Sequence, residues 1–145
     1  MSRHFSSDAE IERIGLGLLD RSLPKREWTH AAHFATALWM LRRRPQMRPE
    51  EQLPAIIRAY NEATGGENTD TAGYHETITQ ASIGAARRFI AAHPADLSLH
   101  QLINLLMASP LGEPDWLLAY WSRERLFSVE ARRTWVAPDL RPLPT

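Results

Sequence analysis

Two imidazoles stand three residues apart in the stretch WTHAAHFATALWML, Trp28 to Leu41, and a third follows in GYHET, Gly73 to Thr77. His30 and His33 are one helical turn apart, so side chains of a single helix can converge from them on one point. On helical period they share a face with Phe34, Ala37, Leu38 and Leu41, a face that reads as apolar. His75 shares a face with Ile78, Ser82, Ala85 and Phe89. A buried imidazole without partners costs about 1–3 kcal/mol per unmet polar group. One divalent ion would satisfy His30, His33 and His75 together. Three neutral nitrogens with an open fourth position describe a catalytic zinc site, whereas two histidines with Glu76 or Asp70 would suit non-haem iron. Zinc, iron, nickel and copper are not separable on these grounds.

Around this centre the spacing assigns further roles. Glu76 lies about 100° round the helix from His75 and reads as a general base or as a carboxylate orienting an imidazole. Tyr74 flanks it with a hydroxyl. The loop ENTDTAG enters a helix start, where free N–H groups favour an anionic group, so Asn68, Thr69 and Thr71 are candidate substrate contacts. Arg123, in YWSRERLFS, is a candidate carboxylate clamp. The reading competes with a plainer one, in which each histidine is a core residue hydrogen-bonded to backbone or to Glu76. H-x-x-H alone is a weak signal, and H-E-x-x-H is absent. His4, His93 and His100 have ordinary surroundings in the sequence.

The elements that must position these residues are all helical in punctuation. SSDAEIERIGLGLLDRSLP opens on a capping box, Ser7 with Glu10, and predicts a helix over about 8–20. Thr29 is the N-cap of the second helix, with Trp28 and Phe34 as a hydrophobic staple. Arg42, Arg43 and Arg44 suit its C-terminal dipole end, and Pro45 stops it. RPEEQLPAIIRAYNEATGG is the third helix, with Pro49 in its first turn, Leu53, Ile57 and Tyr60 inward, and Gly65-Gly66 as its end. The fourth begins at Thr71 or Gly73 and runs to Ala92. LSLHQLINLLMAS is the fifth, capped by Ser98 or Asp96. EPDWLLAYWSRERLF is the sixth and SVEARRTWV a short seventh, capped by Ser128. The predicted fold is all-α: one domain over 1–145, an irregular bundle of six to seven helices with an extended proline-rich tail at about 137–145.

Composition narrows the function classes. The chain has 145 residues and no cysteine, which removes disulfides, thiolate zinc, iron–sulfur clusters and a cysteine nucleophile. Lysine plus arginine and aspartate plus glutamate number 17 each, so no global charge draws the chain to nucleic acid or to an anionic membrane. No apolar run is long enough to span a bilayer, and MSRHFSSDAEIE has no apolar leader segment; a cytoplasmic protein is expected. The expected partner is a small-molecule substrate, with no nucleic acid and no membrane; a homodimer is the one assembly considered.

The segments WTHAAHFATALWML, YN…NTDTAGYHETIT and YWSRERLFSVEAR…WVAPDLRPL together resemble an uncharacterised family of small bacterial all-helical proteins. The resemblance runs from about Trp28 onward, and its specific part is H-x-x-H with a later G-Y-H-E-T. It implies that His30, His33, His75 and Glu76 belong together, and it implies no reaction. The functional expectation is a metal-dependent enzyme, a hydrolase, isomerase or oxygenase. The alternative is a helical module binding a small ligand or a protein, its histidines hydrogen-bonded within the fold.

Overall fold

In the computed structural model, which describes residues 4–145, seven α-helices and no strand occur among the described residues. Residues 1–3 of the stretch MSRHFSSDAEIE lie outside them. The helices are α1 Asp8–Leu19, α2 His30–Arg43, α3 Pro49–Ala63, α4 Glu76–Ala91, α5 Leu99–Ala108, α6 Arg123–Leu126 and α7 Val129–Arg133. The all-α reading of the sequence holds. None of the helices is long and apolar enough to cross a membrane.

Local chemistry sets most of the boundaries. The Thr29 hydroxyl accepts the Ala32 N–H at 3.2 Å and starts α2. Ser98, rather than Asp96, caps α5 in a complete capping box with Gln101. At α1 the box is only half made: Ser7 accepts from Glu10 N, but the Glu10 carboxylate takes the Ser6 backbone and hydroxyl instead. Pro54 sits inside α3, where it has no N–H to give the Glu50 carbonyl. Gln80 of α4 fills that vacancy, donating its amide to Glu50 O at 2.9 Å. A proline that looks like a kink in the sequence is thereby a docking point between two helices.

Two boundaries differ from expectation. Helix α4 starts at Glu76, later than Thr71 or Gly73, because His75 itself is its N-cap. The predicted sixth helix is broken into a 3-10 turn at Trp116–Ala119 and the short α6. Ser122 restarts the chain there: its side chain accepts Arg125 N–H, while its own N–H and hydroxyl bond the Asp139 carboxylate. A second cap inside an apolar pattern outweighs the pattern.

Helix α2 is the hub, with α1, α3, α4 and α5 packed on it. From Phe34 to Met40 every residue is buried, so this helix has no solvent face along that stretch. Buried apolar side chains from all seven helices join one cluster around Trp39, Trp121 and Tyr60. The arginines that end α2 are each engaged within the fold. Arg42 donates to the carbonyls of Ala95 and Leu97, Arg43 pairs with Asp8, and Arg44 lies over the Trp39 ring.

The tail runs without helix along the surface after an anchored start. Buried Thr77 donates to Thr134 O at 2.8 Å and accepts Val136 N–H at 3.1 Å, while the Trp121 indole donates to Val136 O. Thr77→Val keeps the shape and removes both bonds. It should lower unfolding free energy by about 2 kcal/mol in urea titration, whereas Thr77→Ser should lose less than half of that. Equal stability of the valine variant would show that the hydroxyl does not hold the tail.

Candidate functional site

The first turn of α2 carries His30 and His33, but the helix is not buried there as it is one turn later. His33 is exposed on one edge. Its Nδ1 lies 2.7 Å from the Thr29 carbonyl, which also accepts the His33 backbone N–H at 3.0 Å. A carbonyl oxygen can only accept, so Nδ1 carries the proton and Nε2 presents a lone pair. No described residue bonds that Nε2. The Trp28 indole stacks on the ring at a centroid distance of 3.8 Å, in place of the predicted staple to Phe34. The mass of protein around His33 pulls its pKa below the ordinary imidazole value, partly opposed by the Thr29 bond and aided by His30. Water at the open edge moderates that pull, and the ring is neutral at pH 7 in either case.

His30 donates from Nε2 to Leu111 O at 2.9 Å and meets Phe34 edge-on. His75 is fully engaged. Its Nδ1 accepts the Ile78 N–H at 3.1 Å as the α4 cap, so its Nε2 carries the proton, which it donates to Leu126 O at 2.7 Å. Desolvation holds the His75 pKa below the usual imidazole range, against the opposing effect of the Leu126 bond. His93 repeats the His33 arrangement, with Nδ1 2.8 Å from the carbonyl four residues back. An imidazole reaching back to its own helix is thus a local habit of this chain.

These bonds bear directly on the expected metal centre. Each of the three imidazoles donates to a backbone carbonyl, and His75 has no nitrogen left. Among the described residues no group of three or more His, Asp or Glu side chains is arranged to hold a metal ion. The donor set at His30, His33 and His75 does not fit a three-histidine centre. The desolvation cost that motivated the expectation is met by main-chain carbonyls and a helix cap, partners that side-chain spacing does not reveal.

The other expected site residues are dispersed. The Tyr74 hydroxyl donates to Glu76 Oε1 at 2.5 Å, and the Arg58 guanidinium lies over the Tyr74 ring at 4.7 Å. Burial, reinforced by the Glu76 hydrogen bond, raises the Tyr74 pKa well above its ordinary value. Glu76 also faces the Gln80 amide. Asn68 spends four hydrogen bonds, three of them tying the loop to α3: Oδ1 accepts Asn61 Nδ2 and Tyr74 N–H, and Nδ2 donates to Arg58 O and Glu62. That exhausts an amide's usual capacity, so Asn68 is a loop staple. Gly73, at φ +85°, lets the strand of loop close against Glu67 and Asn68. Thr71 and Arg123 are exposed, and Asp70 is paired with Arg133.

What the fold does assemble is a cleft of about 460 Å³ between the Lys25–Trp28 turn, the start of α2, α3 and the loop before α4. Trp28, Ile57, Tyr74 and Ile78 make its apolar walls, and His33, Asn61, Glu67 and Lys25 its polar ones. Asn61, Glu67 and Lys25 go unnamed as site residues in the sequence, although Glu67 opens the ENTDTAG loop and Asn61 follows Tyr60 in the resemblance; each comes from a different element. Lys25 is the sole lysine of the chain. A second cavity of about 290 Å³, lined by Phe34, Trp116 and Leu117, shares His33 and Ile78 with the first.

Compared with protein-family models, curated proteins and solved structures, the chain matches none. Its function must therefore be argued from the cleft.

Proposed function

We propose that this protein is a helical small-ligand-binding module whose site is the cleft walled by Trp28 and His33. The observation that carries the reading is the unpartnered Nε2 of a neutral His33, fixed in orientation by the Thr29 carbonyl and the Trp28 indole. A preset acceptor beside aromatic and aliphatic walls is the usual composition of a small-molecule site. The Asn61 Oδ1 also has no partner among the described side chains, its Nδ2 being spent on Asn68. The acceptors His33 Nε2, Asn61 Oδ1 and the Glu67 carboxylate outnumber the donors without a partner among the described residues, Lys25 and the Trp28 indole N–H, and the Lys25 and Glu67 charges offset each other. The ligand class that fits is a flat, neutral molecule with an N–H or O–H donor.

Phenol is the simplest probe. Titration into 15N-labelled protein should move the His33 ring nitrogens and the Trp28 indole N–H together, with benzoate and benzylamine binding less well. His33→Leu should weaken phenol about tenfold, the worth of one hydrogen bond with a desolvated partner. Because the His33 pKa is lowered, affinity should hold as pH drops past the ordinary imidazole value of 6.5, then fail when Nε2 takes a proton. Phenol shifts that map elsewhere, or that persist unchanged in His33→Leu, would remove this reading.

A further inference from the structure

His33 and Ile78 line both cavities, so the 460 Å³ cleft and the 290 Å³ chamber adjoin at one imidazole and one isoleucine side chain. The two spaces differ in kind. The cleft brings Lys25, Asn61 and Glu67 to its surface, while the chamber is walled by Phe34, Pro114, Trp116 and Leu117, with His30 and Ser82 as its polar members beside the shared His33. His30 spends its Nε2 on Leu111 O and Trp116 is almost wholly buried. Ser82 makes no side-chain hydrogen bond among the described residues. The Trp116 indole N–H is also buried without a partner, so the chamber is walled mostly by carbon with a few unpartnered polar atoms, and it has room for several carbon atoms.

We propose that the chamber is a subsite for an apolar substituent of the ligand whose donor-bearing head sits on His33. This deepens the reading of the cleft and rests on it: the ligand class narrows to an aryl or alkyl group attached to a neutral polar head, lying across the His33–Ile78 waist. The head is recognised by direction, through Nε2, and the tail by exclusion from water. Chain length then sets affinity until the chamber is full. The waist, with a stacked imidazole on one side, favours a flat link between the two parts.

The series phenol, 4-methylphenol, 4-ethylphenol and 4-propylphenol tests this on the intact protein by calorimetry and NMR. Each added carbon buried in the chamber should tighten binding about two- to fourfold, and the propyl protons should show contacts to the Leu117 methyls and the Trp116 ring. Ser82→Leu, which fills the chamber, should flatten the series. Should that variant not fold, the propyl contacts to Leu117 in the unmodified protein decide the matter by themselves. Phenol binding at His33 with no gain along the series, and no Leu117 contacts, overturns the subsite and leaves the cleft standing. Failure of phenol itself to reach His33 overturns both.

Discussion

Replacing His75 by alanine should cost about 2–4 kcal/mol of unfolding free energy at pH 7. The substitution removes the side-chain acceptor that caps α4 and the donor that satisfies Leu126 O. A lost cap is worth about 1 kcal/mol, and a buried carbonyl left without its donor about 1–3 kcal/mol more. His75→Asn restores a capping acceptor and should recover roughly 1 kcal/mol. The effect also has a pH signature. The His75 pKa is lowered by burial, so between the unfolded value near 6.5 and the lower folded one the unfolded chain binds the extra proton. Stability contributed by neutral His75 is therefore complete above about pH 6.5 and is lost as the pH falls toward the folded value. The gap between the native protein and His75→Ala in urea midpoints should narrow on acidification. A gap that stays constant between neutral and mildly acidic pH would show that the imidazole is not acting as a neutral cap.

Gly15→Ala should be as damaging, although alanine is the better helix former by about 1 kcal/mol. A Cβ at residue 15 would stand within 2.8 Å of three atoms of the Trp39 indole, Cε3, Cζ3 and Cδ2. Trp39 is fully buried in the hub helix and cannot swing into solvent. Overpacking of this kind costs about 1–3 kcal/mol and more where nothing can yield. A net loss of about 2–3 kcal/mol is expected, a fall of roughly 5–10 °C in melting temperature. Pairing it with Trp39→Leu should recover part of the loss, since the two sites share one contact. Simple addition of the two single effects would mean that the clash is relieved by movement of α1.

Gly15 also illustrates how far the sequence could be read. Two glycines in α1 suggest either a weak helix or a close approach by another backbone; the structure shows the Leu23 backbone close to Gly17 and the face of Trp39 close to Gly15. The caps at Ser7, Thr29 and Ser128 were legible because a capping side chain acts on backbone within three residues of itself. The break before α6 was not, because the partner that completes Ser122 is Asp139, in the tail. The histidine phase misled for a related reason. Periodicity identifies a buried face when a helix has one buried face, and α2 is enclosed on all sides from Phe34 to Met40 but open at its first turn, where His30 and His33 lie.

By itself, then, the sequence determined helix identity, the capping chemistry and the all-α class, since these depend on side-chain spacing and on bonds within a turn or two. It also singled out the imidazoles as polar groups in need of partners. Only tertiary structure decided the distant partners, Leu111 O for His30 and Leu126 O for His75, and left His33, bonded to Thr29 O in its own first turn, with one open nitrogen. Main-chain carbonyls have no residue type, so no pattern of letters can announce them. The cleft was likewise beyond the sequence, because Lys25, Asn61 and Glu67 become neighbours of His33 only when the Lys25–Trp28 turn and the loop before α4 close over the start of α2.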